Sequence, residues 1–244
     1  MQEIIDDFYT AVENYMHKIV EGKDAKYYSS NIHVSGLDNC PRQVVYEYFN
    51  FPKRKRTLAE LITLNVGTYL HTVIDKALKE SPVFDVIHNE KKMNRGLPKM
   101  FTGKCDNVIV HIPTGKKILQ DTKSVRPNAF KYFNNLVKES YKKQLNSYLY
   151  GLENMGIDID LLLITIFDRG GSNTPYITDV EKRDKFEMED LFALYSNAVI
   201  NYRDNKQLPS MLDPIFDKDK IWQCGYCLYQ GITCPQIIEE KKKK

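Results

Sequence analysis

The stretch from Gly103 to Lys123, GKCDNVIVHIPTGKKILQDTK, constrains the fold of this chain more than any other. It reads as two strands joined by a tight turn. Val108, Ile109, Val110 and Ile112 give the first strand its β-branched character. Pro113, Thr114 and Gly115 supply the turn, and Ile118 and Leu119 carry the second strand. Side chains alternate along a strand, so Asp121 and Lys123 share a face and Thr122 points the other way. With Thr114-Gly115 as a two-residue loop, Asp106 lies across from Lys123 and Val108 from Asp121. That register gathers two carboxylates and an ammonium on one face, whereas an odd-length loop without a bulge would separate them.

Two carboxylates aimed at one point repel unless a hard divalent cation lies between them, and Mg²⁺ or Mn²⁺ takes oxygen ligands of this kind. Lys123 beside such an ion can orient or deprotonate a water, or stabilise charge on a phosphate. The alternative is a surface hairpin whose acids and lysine form ordinary exposed ion pairs, and D-x-K alone does not decide between them.

A chain of 244 residues reads as one domain with appendages: an N-terminal helix within 1–34, a core over 35–236 and a basic tail at 237–244. The formal charge of +3 is small, but lysine and arginine cluster at 53–56, 116–117, 142–143 and 241–244. Such runs can follow a phosphate backbone, or can simply be solvated. No apolar run is long enough to span a membrane, and the acidic start, MQEIIDDFYT, lacks a signal-peptide profile. The expected compartment is therefore the reducing cytoplasm, or a host's cytoplasm for a phage-encoded chain. There, five cysteines read as metal ligands or buried thiols.

Apolar spacing predicts an amphipathic helix over residues 2–21. In SGLDNCPRQVVYEYF, residues 35–49, Pro41 suits the first turn of a helix that begins just after Cys40. A six-turn helix follows from Thr57 to Glu80, with Leu61, Ile62, Val66, Leu70, Val73, Ile74 and Ala77 as its expected buried side. His71 lies at the edge of that stripe, four residues after Gly67. The missing side chain at Gly67 leaves room for a ligand or another backbone. As a lone histidine, His71 reads equally as a hydrogen-bonded core residue.

Residues 83–92 read as a further strand, and 127–154 as a helical region in which Gln144 and Tyr148, four apart, share a face. LLLITIF, 161–167, reads as a strand buried on both faces, PYITDVE as a further or edge strand, and Asp184–Asp204 as another amphipathic helix. Near the carboxyl terminus Cys224 and Cys227 form C-x-x-C, and Cys234 follows after six intervening residues. Three thiolates lack the fourth that a closed site wants, and Cys40 is available. A metal there would tie the two ends of the chain together. Cys105 points away from Asp106 and reads as a buried thiol. No G-x-x-x-x-G-K-[ST] motif is present, so no ATP site is expected.

Taken in order, Gly67 with His71, Gly103-x-x-Asp106, Asp121-Thr122-Lys123 and Gln144-x-x-x-Tyr148 resemble the PD-(D/E)XK nucleases of the RecB type. One cysteine in a C-P-R segment and three near the carboxyl terminus resemble the iron–sulfur branch, which includes CRISPR adaptation nucleases and AddB-type and phage exonucleases. The resemblance covers roughly residues 35–236.

It implies an α/β, restriction-endonuclease-like core: a central mixed β-sheet flanked by helices, its terminal segments joined at a cluster. It also implies that His71, Asp106, Asp121 and the Thr122 carbonyl hold Mg²⁺ or Mn²⁺, with Asp106, Asp121 and Lys123 catalytic. Gln144 and Tyr148 would hold the DNA strand near the scissile bond. Cys40, Cys224, Cys227 and Cys234 would ligate a [4Fe-4S] cluster, with Zn²⁺ as the rival metal. Two features depart from the pattern: Asp121 stands where glutamate is commoner, and the gap before Cys234 is six residues.

The expected activity is metal-dependent exonucleolytic hydrolysis of single-stranded DNA or duplex ends in recombination, repair or phage DNA processing. The alternatives are a CRISPR-adaptation nuclease that trims spacer precursors and a catalytically vestigial nucleic-acid-binding module. DNA is the expected partner, with a protein partner or a second copy of the chain also open.

Overall fold

The computed structural model describes residues 7, 10–18, 30–130, 137–171, 173–212 and 220–235. Its first elements are α1 (residues 10–18), β1 (Ile32–His33), a 3-10 turn at Val34–Gly36, α2 (Pro41–Tyr48) and α3 (Leu58–Glu80). The strands β2 (Phe84–Lys92), β3 (Phe101–Thr102), β4 (Lys104–His111) and β5 (Lys116–Val125) follow. Then come α4 (Pro127–Phe130), α5 (Glu139–Glu153), β6 (Leu161–Asp168), β7 (Tyr176–Val180), α6 (Lys185–Asn205) and α7 (Trp222–Tyr226). The ends of the helix expected over 2–21, and the tail at 237–244, lie outside the described residues. No helix among the described residues is long and apolar enough to cross a membrane.

The chain divides into two compact units. One consists of Asn31–Asp38 and Ile62–Leu194. Its centre is a five-stranded mixed sheet in the order β2-β4-β5-β6-β7. β5 and β6 are parallel, and the other neighbours are antiparallel. The parallel pair needs a crossover, and α4 and α5 provide it. α5 buries Leu145, Tyr148, Leu149 and Leu152, one side of a 3.6-residue repeat. On β6, Leu162, Ile164 and Ile166 on one face are fully enclosed, but on the other Leu161, Leu163 and Phe167 are half-buried. The burial expected on both faces therefore holds only in part, and β7 is an edge strand.

A close backbone contact locks α5 in place. A Cβ added at Gly96 would lie 1.8 Å from the Gly151 carbonyl oxygen, with backbone rather than a yielding side chain in the way. Gly96→Ala is therefore expected to destabilise the protein by about 2–3 kcal/mol, a fall of roughly 5–10 °C in thermal midpoint. An unchanged melting curve would show that the 96 loop can move off α5.

Two sequence expectations change here. The hairpin turn holds four residues, Ile112 to Gly115, because β4 and β5 pair as His111↔Lys116, Ile109↔Ile118 and Val108↔Leu119. An even-length loop keeps the same faces together but moves the register by two. Val108 therefore faces Leu119, not Asp121, and one step beyond the last pair, Asn107↔Gln120, Asp106 comes level with Asp121 rather than Lys123.

The second change concerns α3. Leu61 is 1% exposed, but Ile62, Val66 and Val73 are 46%, 37% and 41% exposed. The row that meets the strands is instead Gly67, His71, Asp75 and Lys79, spaced by four. Gly67 faces the Ser124 hydroxyl, at 3.4 Å from its ideal Cβ, so a strand side chain takes the room that its missing side chain leaves. His71 reaches Asp106, Asp75 Oδ1 accepts from Asn107 Nδ2 at 3.0 Å, and Lys79 Nζ donates to Asn89 Oδ1 at 3.4 Å. The helix turns its polar row toward the hairpin, against its hydrophobic pattern. On α6, similarly, Phe186 and Leu194 are exposed, and the buried row is Met188, Phe192, Tyr195 and Val199.

The other unit comprises Met1–Ser30, Asn39–Leu61 and Tyr195–Lys244. α2 starts at Pro41 with Cys40 as its N-cap, as proline's fixed φ and missing N–H favour. Tyr46, Phe51, Tyr202 and Tyr229 stack as tilted and edge-on pairs 5.0–5.5 Å apart. Hydrogen bonds lace residues 39–61 to the later segment. Cys40 N donates to Gln223 Oε1 (3.0 Å), Arg42 Nε to the Pro209 carbonyl (2.7 Å) and Arg54 N to the Leu228 carbonyl (2.9 Å).

Candidate active site and cysteine cavity

The β4–β5 ladder stops at Asn107↔Gln120, and the strands part beyond it. The Asp106 carboxylate occupies the opening. Its Oδ2 accepts the Thr122 backbone N–H at 2.8 Å, in place of a ladder carbonyl, and lies 3.0 Å from His71 Nδ1. On the other strand Lys123 Nζ lies 2.7 Å from Asp121 Oδ2. His71, Asp106, Asp121, Thr122 and Lys123 thus meet at the mouth of the hairpin, supplied by α3, β4 and β5.

Asp121 is the anomaly. It is 1% exposed, and neither of its oxygens accepts a hydrogen bond of normal geometry. The approach of Lys123 is an electrostatic contact without a directed bond. Burial raises the Asp121 pKa to about 6; Lys123 pulls it down and the neighbouring Asp106 adds to the rise. Burial opposes charge on His71 as well, but the Asp106 carboxylate, with Asp121 behind it, outweighs that cost and raises the imidazole pKa. For Asp106, burial is outweighed by the His71 bond, the charges of His71 and Lys123 and the Thr122 N–H, so its pKa falls. Lys123 is buried too, yet Asp121 and Asp106 hold its ammonium above the usual lysine range.

Among the described residues, no three His, Cys, Asp or Glu side chains converge on a common point as a ready metal site. The acids are closed onto His71 and Lys123. Two buried carboxylate oxygens without directed partners are nonetheless the chemistry that a hard cation satisfies, so the donor set fits a divalent ion once those pairs open.

Gln144 and Tyr148 share one face of α5, as their spacing implies, and Gln144 Nε2 donates to the Tyr148 hydroxyl at 3.0 Å. Tyr148 is 4% exposed, and its ring packs where a Gly103 side chain would stand. Burial, with Asp121 nearby, holds its hydroxyl well above the usual tyrosine range. Of the two, Gln144 is the half-buried one.

All five cysteines are free thiols. Cys105 is buried, and desolvation pushes its pKa up to about 12. Cys40, Cys224, Cys227 and Cys234 line a single cavity, together with Arg42, Tyr46 and Gln223. Burial raises Cys224 to about 11, and its three companions add to the rise. The cavity gathers the donor type that a thiolate-bound metal takes, although these thiols, like the acids, do not converge as a ready metal site among the described residues.

Sequence reasoning did not find the polar chain behind the hairpin. Asn89 Nδ2 donates to Asn107 Oδ1 (2.9 Å), and Asn107 Nδ2 to Gln120 Oε1 (3.0 Å). Gln120 Nε2 then donates to the Thr122 and Thr165 hydroxyls at 3.0 and 3.2 Å. This chain crosses β2, β4, β5 and β6 and fixes the two residues flanking the acids. The signal was present: Asn107 and Gln120 are amides set between the acids Asp106 and Asp121 and the apolar runs Val108–Val110 and Ile118–Leu119. Tyr141 was also missed; its ring centroid lies 5.4 Å from Lys123 Nζ.

No family model matches the chain, and no curated protein matches it significantly. Solved structures do. The crystal structure of SSO0001 is similar with a TM-score of 0.55 at 19% identity, over 91% of this chain and 95% of that one. An alkaline exonuclease, LHK-Exo from Laribacter hongkongensis, is similar with a TM-score of 0.50 at 12% identity, over 74% of this chain and 95% of that one. At these identities the likeness is one of fold. The central mixed sheet flanked by helices is consistent with a restriction-endonuclease-like fold.

Proposed function

We propose that this chain is a divalent-metal-dependent deoxyribonuclease that acts as an exonuclease on single-stranded DNA or duplex ends. The observation that carries the reading is Asp121: a buried carboxylate without a directed hydrogen bond, level with Asp106 and beside Lys123. Proteins rarely retain such a group without a ligand to satisfy it. The fold likeness to an alkaline exonuclease supports the same class.

His71, Asp106, Asp121 and the Thr122 carbonyl would hold Mg²⁺ or Mn²⁺. Such an ion, when bound, would supply Lewis acidity toward the phosphate and make water acidic enough to attack it. Lys123, kept as an ammonium by the two acids, orients that water and offsets charge building on the phosphate. Thr122 N–H fixes the Asp106 carboxylate at the hairpin mouth, and Gln144 holds the strand from α5. In the other unit, Cys40, Cys224, Cys227 and Cys234 would hold a [4Fe-4S] cluster with a structural role.

End-labelled single-stranded DNA incubated with Mn²⁺ tests the activity. Progressive shortening that a chelator abolishes is expected, and an intact strand under both conditions would leave only a binding protein. A pH profile tests the ligands. At pH 6 Asp121, with its pKa raised to about 6, and His71, raised above its ordinary value, hold protons that the cation must displace. Both shifts favour the protonated state, so hydrolysis is expected to fall on acidification, with a log-rate slope approaching two below about pH 6. A flat profile between about pH 5.5 and 8 would contradict this ligand set.

A further inference from the structure

Two arginines stand at the carboxyl ends of neighbouring parallel strands. β5 and β6 pair through Val125↔Asp168, and the next residue on each strand is Arg126 and Arg169. The Arg169 backbone N–H, bonded to the Val125 carbonyl at 2.9 Å, holds the two positions together. Neither guanidinium has a hydrogen-bonding or ion-pairing side chain among the described residues. The adjacent acid in sequence, Asp168, accepts from the Gly170 N–H at 2.9 Å and Asn173 Nδ2 at 2.6 Å. Burial and then the Arg126 charge lower the Arg169 pKa, as expected for like charges brought close.

Tyr141 links this pair to the hairpin. Lys123 Nζ and Lys138 Nζ lie 5.4 and 5.8 Å from its ring centroid, and its hydroxyl feels both Lys123 and Arg169. Lys123, Lys138 and Arg169 therefore act on one ring, with Arg126 beside Arg169, at the strand ends where open α/β sheets bind ligands. Like charges so placed repel until an anion joins them, and paired guanidinium forks match phosphate oxygens.

We propose that Arg126 and Arg169 form a second phosphate subsite, which grips a phosphate of the bound strand next to the one being cleaved. This rests on the nuclease reading of the hairpin and extends it by assigning where the strand continues. The phosphate is either a backbone diester or a terminal monoester.

The test is fluorescence anisotropy on the full chain with labelled single-stranded DNA, with and without a phosphate at the unlabelled end. Excess chelator prevents cleavage, and salt is varied from 50 to 200 mM. Arg126→Gln and Arg169→Gln are each expected to weaken binding about tenfold and to reduce the magnitude of the salt slope by about 0.7. Arg126→Lys and Arg169→Lys keep the slope, which separates loss of charge from loss of fold. Weakening on both oligonucleotides assigns a diester, and weakening only on the phosphorylated one assigns a monoester. Affinity and slope unchanged in both glutamine variants, or no binding by the unmodified chain, overturn the subsite. Because this readout needs no hydrolysis, an inactive protein that still loses affinity in these variants would reject the nuclease reading and keep the subsite.

Discussion

Lys123→Ala is expected to lower DNA hydrolysis by about 10³-fold while binding to DNA in chelator changes only a few-fold. The lysine sits on the same strand face as Asp121, with Nζ 2.7 Å from Oδ2, and is largely shielded from water. The two acids hold the ammonium charged, and in the proposed site that charge would offset the negative charge a phosphate gains during hydrolysis. Alanine removes that charge and leaves Asp121 without the ammonium 2.7 Å from its Oδ2. Lys123→Arg is not expected to rescue, since a planar fork cannot occupy the site of a compact ammonium. The check is single-turnover degradation of end-labelled DNA with Mn²⁺. Equal rates for both proteins would remove Lys123 from the mechanism.

The second large effect concerns the cysteine cavity. Cys227→Ser is expected to lose the bound metal group and to lower stability by about 5 kcal/mol, or roughly 10–20 °C in thermal midpoint. The magnitude follows from topology. Cys40 precedes α2 and Cys224 opens the last cysteine segment, so a metal joining them closes most of the chain into one loop. The hydrogen bonds from Cys40 to Gln223, Arg42 to Pro209 and Arg54 to Leu228 remain and keep the variant from unfolding outright. Cys105→Ala is the contrast: a buried thiol outside the cavity, whose loss costs about 1 kcal/mol of packing and no metal. Absorption and metal content read the same samples. A brown protein with a broad visible band and iron supports the cluster, and a colourless protein containing zinc supports the rival metal.

Much of this was legible in the sequence, for reasons that differ by element. The hairpin, the apolar β6 and α5 follow from periodicity and turn residues, which act locally. The register did not, because Pro113-Thr114-Gly115 is compatible with more than one loop length. Only the pairing His111↔Lys116 fixes Asp106 level with Asp121. The face of α3 was misread for a functional reason. Hydrophobic spacing favoured Ile62, Val66 and Val73, whereas Gly67, His71, Asp75 and Lys79 meet the strands through hydrogen bonds and an ion pair that spacing does not encode. Tyr148 was legible as a partner of Gln144 but not as a buried one, since its burial depends on the empty side of Gly103 far away in the chain. The four cysteines were grouped by ligand count, and the cavity brings them together by tertiary packing of segments that the sequence keeps apart.

The central claim is that His71, Asp106 and Asp121 release their present partners and share one divalent ion. Anomalous scattering at the manganese edge, from crystals of the full chain soaked in Mn²⁺, measures this directly. The expected result is a single strong peak at the hairpin mouth, bound by both carboxylates and the imidazole, that disappears in Asp121→Asn. Density in which His71 stays paired with Asp106 and Lys123 with Asp121, with no manganese between the two acids, would contradict it.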